Sequence, residues 1–128
     1  MTRIAVVADD LIWASRLSAA VERAGAVPVR LSGRGALPPE PCDGAIVDLA
    51  RRGGDGIEII ARLREAGLPV IALADHDDAP LRKRALAAGA DKVLAYRKMH
   101  ADGPEVVAAW LATLSGAGNG AGNESGAR

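Results

Sequence analysis

An α/β domain is predicted, with a five-stranded parallel sheet covered by helices on both faces. Three observations carry this. Short, almost unbroken apolar runs recur along the 128 residues. A stretch with helical periodicity follows most of them. Glycines fall where those helices would stop. Unbroken apolar runs suit strands buried on both faces, and strands alternating with helices imply right-handed crossovers and a parallel sheet.

In chain order, Arg3 to Ala8 (RIAVVA) reads as the first strand. Leu11 to Ala24 is helical, with Trp13, Leu17, Ala20, Val21 and Ala24 at helical spacing and Gly25 as the stop. Val27 to Leu31 is a second strand, and Ser32 to Pro41, with its glycines and prolines, reads as a loop with at most a turn or two. Ala45 to Leu49 is the third strand, Ile57 to Ala66 a helix closed by Gly67, and Pro69 to Ala74 (PVIALA) the fourth strand. Asp78 to Ala88 is helical and ends at Gly89; Lys92 to Tyr96 is the fifth strand. Pro104 opens a last helix with Val106, Val107, Trp110, Leu111 and Leu114 on its apolar face. Residues 1–115 thus form one domain, and 116–128 (GAGNGAGNESGAR) a flexible Gly-rich tail with almost nothing to bury.

Lys plus Arg and Asp plus Glu are balanced at 16 each, so no global field favours nucleic acid or an anionic membrane. No apolar run approaches a membrane span. The N-terminus has no signal-peptide regions, and the single Cys42 cannot form an internal disulfide; a cytoplasmic location is expected.

Ligands of an open parallel sheet gather beyond the carboxyl ends of its strands. Asp9 and Asp10 close the first strand, and Asp48 sits near the end of the third. If those strands are neighbours, the three acids converge, and like charges that close call for a cation between them. Hard oxygen ligands, few in number, suit Mg²⁺. A carboxylate there can also attack a phosphoryl donor and form an acyl phosphate. Asp10 is equally well placed to cap the following helix. Asp48 is harder to explain blandly, because an acid inside a central apolar run is costly unless paired or used.

The pattern resembles response-regulator receiver domains over residues 3 to 114. The matches are Asp9-Asp10, Asp48, Asp55-Gly56 seven residues later, Pro69-Val70-Ile71, and Ala88-Gly89-Ala90-Asp91. The resemblance implies a flavodoxin-like (βα)5 three-layer sandwich with strand order 2-1-3-4-5. It implies Asp48 as phosphoacceptor, and Mg²⁺ held by Asp9, Asp10, Asp48 and the backbone carbonyl of Ala50. It also implies a signalling role rather than enzymatic turnover, with a histidine kinase or an output protein as partner.

The switch positions depart from the family. Ala74 stands where the family has Ser or Thr, Val93 where it has an aromatic residue, and Tyr96 where it has Lys. Arg97 points to the opposite face on an extended strand. Lys98 recovers the facing but lies about 6–7 Å further along. The Tyr96 phenol can donate a hydrogen bond but brings no positive charge. Each missing charge-assisted contact is worth roughly 1.5–3 kcal/mol, so two together are enough to remove most of a switch biased by a few kcal/mol.

His76, in the run Asp75 to Asp78, is either a loop residue beside a helix cap supplied by Asp77 or Asp78, or a proton-transfer or metal group near the site. His100 reads as surface, Cys42 as a partly buried thiol, and Trp13 as core or pocket lining. Arg82-Lys83-Arg84 is a solvated basic run and an interface candidate. In receivers the helix after the fourth strand, the fifth strand and the last helix often dock partners, so homodimerisation through that face stays open. Three readings follow: a stand-alone receiver-like module acting through protein contacts with degraded switch residues; a functional phosphoacceptor with a non-standard cation; and a small flavodoxin-like enzyme or cofactor binder. No phosphate loop or nucleophile–base motif supports the third.

Overall fold

The computed structural model describes residues 1–31, 38, 40–50 and 55–120. The elements are β1 (Arg3–Val7), α1 (Leu11–Arg23), β2 (Val27–Leu31), β3 (Gly44–Asp48), α2 (Gly56–Glu65), β4 (Val70–Ala74), α3 (Ala79–Ala88), β5 (Lys92–Ala95) and α4 (Tyr96–Gly120). All strand pairs are parallel, in the order β2-β1-β3-β4-β5. This is the flavodoxin-like arrangement. The loop expected over Ser32 to Pro41 lies mostly outside the described residues.

Side-chain alternation along the strands divides the core. Ala5, Val7, Ala45, Val47, Val70 and Ala72 pack with Ile59, Ile60 and Leu63 of α2 and Ala85 of α3. Ile4, Val6, Ile46, Ile71 and Leu73 pack with Leu17 and Val21 of α1 and with Met99, Val107 and Trp110 of α4. Asp48 is two residues beyond Ile46, so the pleat turns it toward the α1–α4 side.

Local chemistry sets the helix ends. Asp10 Oδ1 accepts from the backbone N–H groups of Ile12 (2.8 Å) and Trp13 (3.2 Å), the N-cap arrangement. Asp78 Oδ1 accepts from Leu81 N–H at 3.1 Å and starts α3, with Pro80 in its first turn. Gly89 ends α3 at φ 119°, a left-handed position that favours glycine. Gly56 opens α2 where an added Cβ would stand 2.6 Å from Leu49 Cδ2, so glycine lets this helix settle on the end of β3.

The C-terminal third differs from expectation. The fifth strand stops at Ala95, and Tyr96 begins a helix instead of ending a strand. Pro104 opens the second of two helical segments in this run, as expected. It follows a kink at Asp102 (φ −127°, ψ 26°) where two helical segments meet. A proline in the first turn of the second segment has no intrahelical N–H to lose. The first segment carries Met99, which is buried in the cluster that holds Leu17 and Val21 of α1. The helix also continues to Gly120, past the expected start of the tail at 116; residues 121–128 are not described. Among the described residues no helix is long and apolar enough to cross a membrane.

Candidate functional site

β1 and β3 are neighbours, with Val7 beside Val47, so the ends carrying Asp9, Asp10 and Asp48 share one rim. The side chains do not share one ligand set. Asp9 and Asp10 line an open cleft of about 690 Å³ with Leu11, Ile12 and Ala50, and Asp48 is not among its described lining residues. Asp48 lies beneath, only 1% exposed. Its Oδ1 accepts from the Tyr96 hydroxyl and from the Ala50 N–H, the latter at 3.0 Å.

The expected Mg²⁺ set is therefore not formed. Among the described residues no group of three His, Cys, Asp or Glu side chains could hold a metal ion. Asp10 is occupied as a helix cap, Asp48 is turned under a phenol, and Ala50 meets Asp48 through its N–H. So arranged, Asp9, Asp10 and Asp48 do not present one three-carboxylate set to the ion.

Tyr96 is the residue whose role is clearest in three dimensions. Its ring stacks on Trp13 at 5.1 Å between centroids, tilted by 54°. That geometry falls in the favourable range for aromatic pairs. Burial pushes the Tyr96 phenol well above the ordinary tyrosine value; the hydrogen bond to Asp48 and its negative charge push the same way, and the Ala50 amide pulls back. The phenol thus stays protonated and donating. The protonated form is favoured in the fold, so its contribution is complete below the ordinary value of about 10 and is lost as pH rises above it. Melting temperature is expected to decline more steeply above about pH 10 in wild type than in Tyr96→Phe, as followed by circular dichroism.

The other switch positions follow from the register. Ala74 ends β4 opposite Ala95, and Val93 packs partly against the α2–α3 core. Neither brings a polar atom toward Asp48. Lys98 is ion-paired to Asp102 at 2.9 Å, so it does not reach back, and Arg97 is exposed. His76 is exposed on the edge of a groove of about 520 Å³ that Asp75, Tyr96, Arg97 and Lys98 also line. Asp78 takes the capping role anticipated there.

Arg82 differs from its neighbours in the basic run. Its Nη2 donates to the Val93 carbonyl at 2.8 Å, tying α3 to the sheet-edge strand, whereas Lys83 and Arg84 are exposed. Cys42 is partly buried; burial first, then Glu40 and Asp43, pushes its thiol up and away from reactivity at neutral pH.

A five-stranded 2-1-3-4-5 sheet with acids at the ends of its first and third strands defines a receiver-type signalling domain. A response regulator receiver protein from Burkholderia phymatum shares 31% identity, covering 75% of this chain and 83% of that one, with a TM-score of 0.62. The chain belongs to the response regulator receiver family. The fold also matches a CheY-like receiver domain protein from Methanospirillum hungatei (18% identity, 90% and 97% covered, TM-score 0.75). It matches the receiver domain of the TMAO respiratory system response regulator TorR as well (19% identity, 89% and 99% covered, TM-score 0.76). No family model and no curated protein matches the sequence.

Proposed function

We propose that this receiver works as a protein-contact signalling module, not an enzyme, whose phosphoacceptor position is sealed in the resting state. The observation that carries this reading is the burial of Asp48 at 1% exposure under the Tyr96 hydroxyl. A carboxylate can attack phosphorus only along an open line of approach. Here its Oδ1 is engaged twice, and the family's lysine is replaced by the very residue that covers it. With Ala74 and Val93 at the other switch positions, a phosphoryl group on Asp48 would find neither the hydroxyl nor the aromatic partner that reads it. Signal therefore passes through binding of another two-component protein, a kinase or an output protein, with α3, β5 and α4 offering one face and Lys83 and Arg84 exposed on it.

Incubation with acetyl phosphate in Mg²⁺-containing buffer, followed by intact-mass measurement, tests this. Wild type is expected to carry no more phosphoryl group than Asp48→Ala. Stoichiometric labelling of wild type, absent in Asp48→Ala, would instead favour a working phosphoacceptor in which Tyr96 substitutes for the usual cation.

A further inference from the structure

The seal over Asp48 has an outer end. Tyr96 rests on Trp13, and the Arg16 guanidinium lies 5.5 Å from the centroid of the Trp13 ring system. Arg16 Nη1 also donates to His100 Nδ1 on α4. Asp48, Tyr96, Trp13, Arg16 and His100 thus form one run of contacts from the buried rim to solvent.

That outer end borders a groove of about 220 Å³ between α1 and α4. Ala19, Ala20, Met99 and Gly103 contribute small or apolar surface, while Arg16, Arg23 and His100 supply basic groups. Its described lining residues include no acid. Gly103 brings the helices close here, since a Cβ on it would already stand 3.4 Å from Ala20 Cβ. Asp102, the nearby acid on α4, is taken by Lys98.

We propose that this groove docks an acidic segment of a protein partner, and that the partner's carboxylate draws Arg16 away from Trp13 and His100 and so loosens the Tyr96 seal. Guanidinium groups match carboxylates in bidentate geometry, and the apolar floor suits a side-chain stem better than a hydrated ion. A ligand shifts a conformational balance only through different affinity for the two states. Arg16 supplies that difference: it is engaged within the chain when the seal is closed and free for a carboxylate when it opens. This inference rests on the reading of Asp48 as sealed and names the surface that acts on it.

The test is titration of the full chain with an octaglutamate peptide at low ionic strength, followed by NMR. Saturable shifts are expected at Arg16, Arg23 and the Trp13 indole. Hydrogen exchange of the Ala50 amide, which donates to Asp48, is expected to accelerate. Arg16→Ala and Arg23→Ala are each expected to weaken binding about fivefold, the scale of one exposed ion pair. Arg16→Ala alone is expected to speed Ala50 exchange without peptide. Absence of saturable binding, or binding indifferent to both substitutions, would overturn the docking surface. Inorganic phosphate competing at equal concentration would reassign the groove to small anions and overturn it too. Binding with unchanged Ala50 exchange would break the link to Asp48. None of these failures alters what acetyl phosphate does to Asp48, so the two readings fail separately.

Discussion

Tyr96→Ala is expected to gain acyl-phosphate labelling of Asp48 that wild type lacks, its Asp48 being exposed about 30-fold more often than in wild type. The hydrogen bond from the phenol to the carboxylate is worth about 1.5–3 kcal/mol, and the stack on Trp13 about 0.5–1.5 kcal/mol. Removing both lowers the cost of exposing Asp48 by at least about 2 kcal/mol, and each 1.4 kcal/mol is tenfold in population. In the labelling step one carboxylate oxygen forms a bond to phosphorus while the bond from phosphorus to the acetate oxygen breaks and acetate leaves. Intact-mass spectrometry of Tyr96→Ala against Tyr96→Phe separates the contributions. The phenylalanine keeps the stack and loses only the donor, so its labelling is expected to fall between wild type and alanine. Labelling of Tyr96→Ala at the wild-type level would mean that something other than Tyr96 keeps phosphoryl donors from Asp48.

How much of this was legible in the sequence depends on whether one segment or two decided the outcome. The apolar runs of β1, β3 and β4 fixed themselves, because strands buried on both faces have little room for polar residues. Asp48 stood out for the same reason, as a charge at the end of a central run. What it touches was not legible, because that depends on how α4 begins. Lys92 to Tyr96 fits a strand and Pro104 fits a helix start, and the segment between carries no periodic signal of its own. The helical turn from Tyr96 is chosen by tertiary packing, which buries Met99 and lays Tyr96 against Trp13. Shifting Tyr96 from strand to helix turns it from a weak replacement for lysine into a cover over the acid. The arrangement of the three acids was no more legible. The strand ends were placed correctly on one rim, but helix capping claimed Asp10 and the phenol claimed Asp48.

Trp110 should hold that cover in place from a distance. It is 1% exposed and, with Val107, docks α4 on the sheet face that also carries Ile4, Ile46 and Ile71. Trp110→Ala is expected to cost about 3–5 kcal/mol, as large aromatic truncations in cores do. Urea denaturation checks this, and weaker docking of α4 is also expected to raise labelling of Asp48. Trp110→Phe is expected to cost less than its lost volume suggests, because the buried indole Nε1 has no hydrogen-bond partner among the described residues and phenylalanine removes that unmet donor. Gly44 supplies the matching half of the fit. A Cβ there would stand 2.8 Å from Trp110 Cη2, so Gly44→Ala alone is expected to destabilise by about 1–3 kcal/mol through overpacking. In the Trp110→Ala background the added methyl would meet space instead of the indole. The double variant is therefore expected to be more stable than the two separate losses would predict, by about 0.5–3 kcal/mol. Strict additivity would mean that the indole does not press on the start of β3, and that α4 is anchored elsewhere along its length.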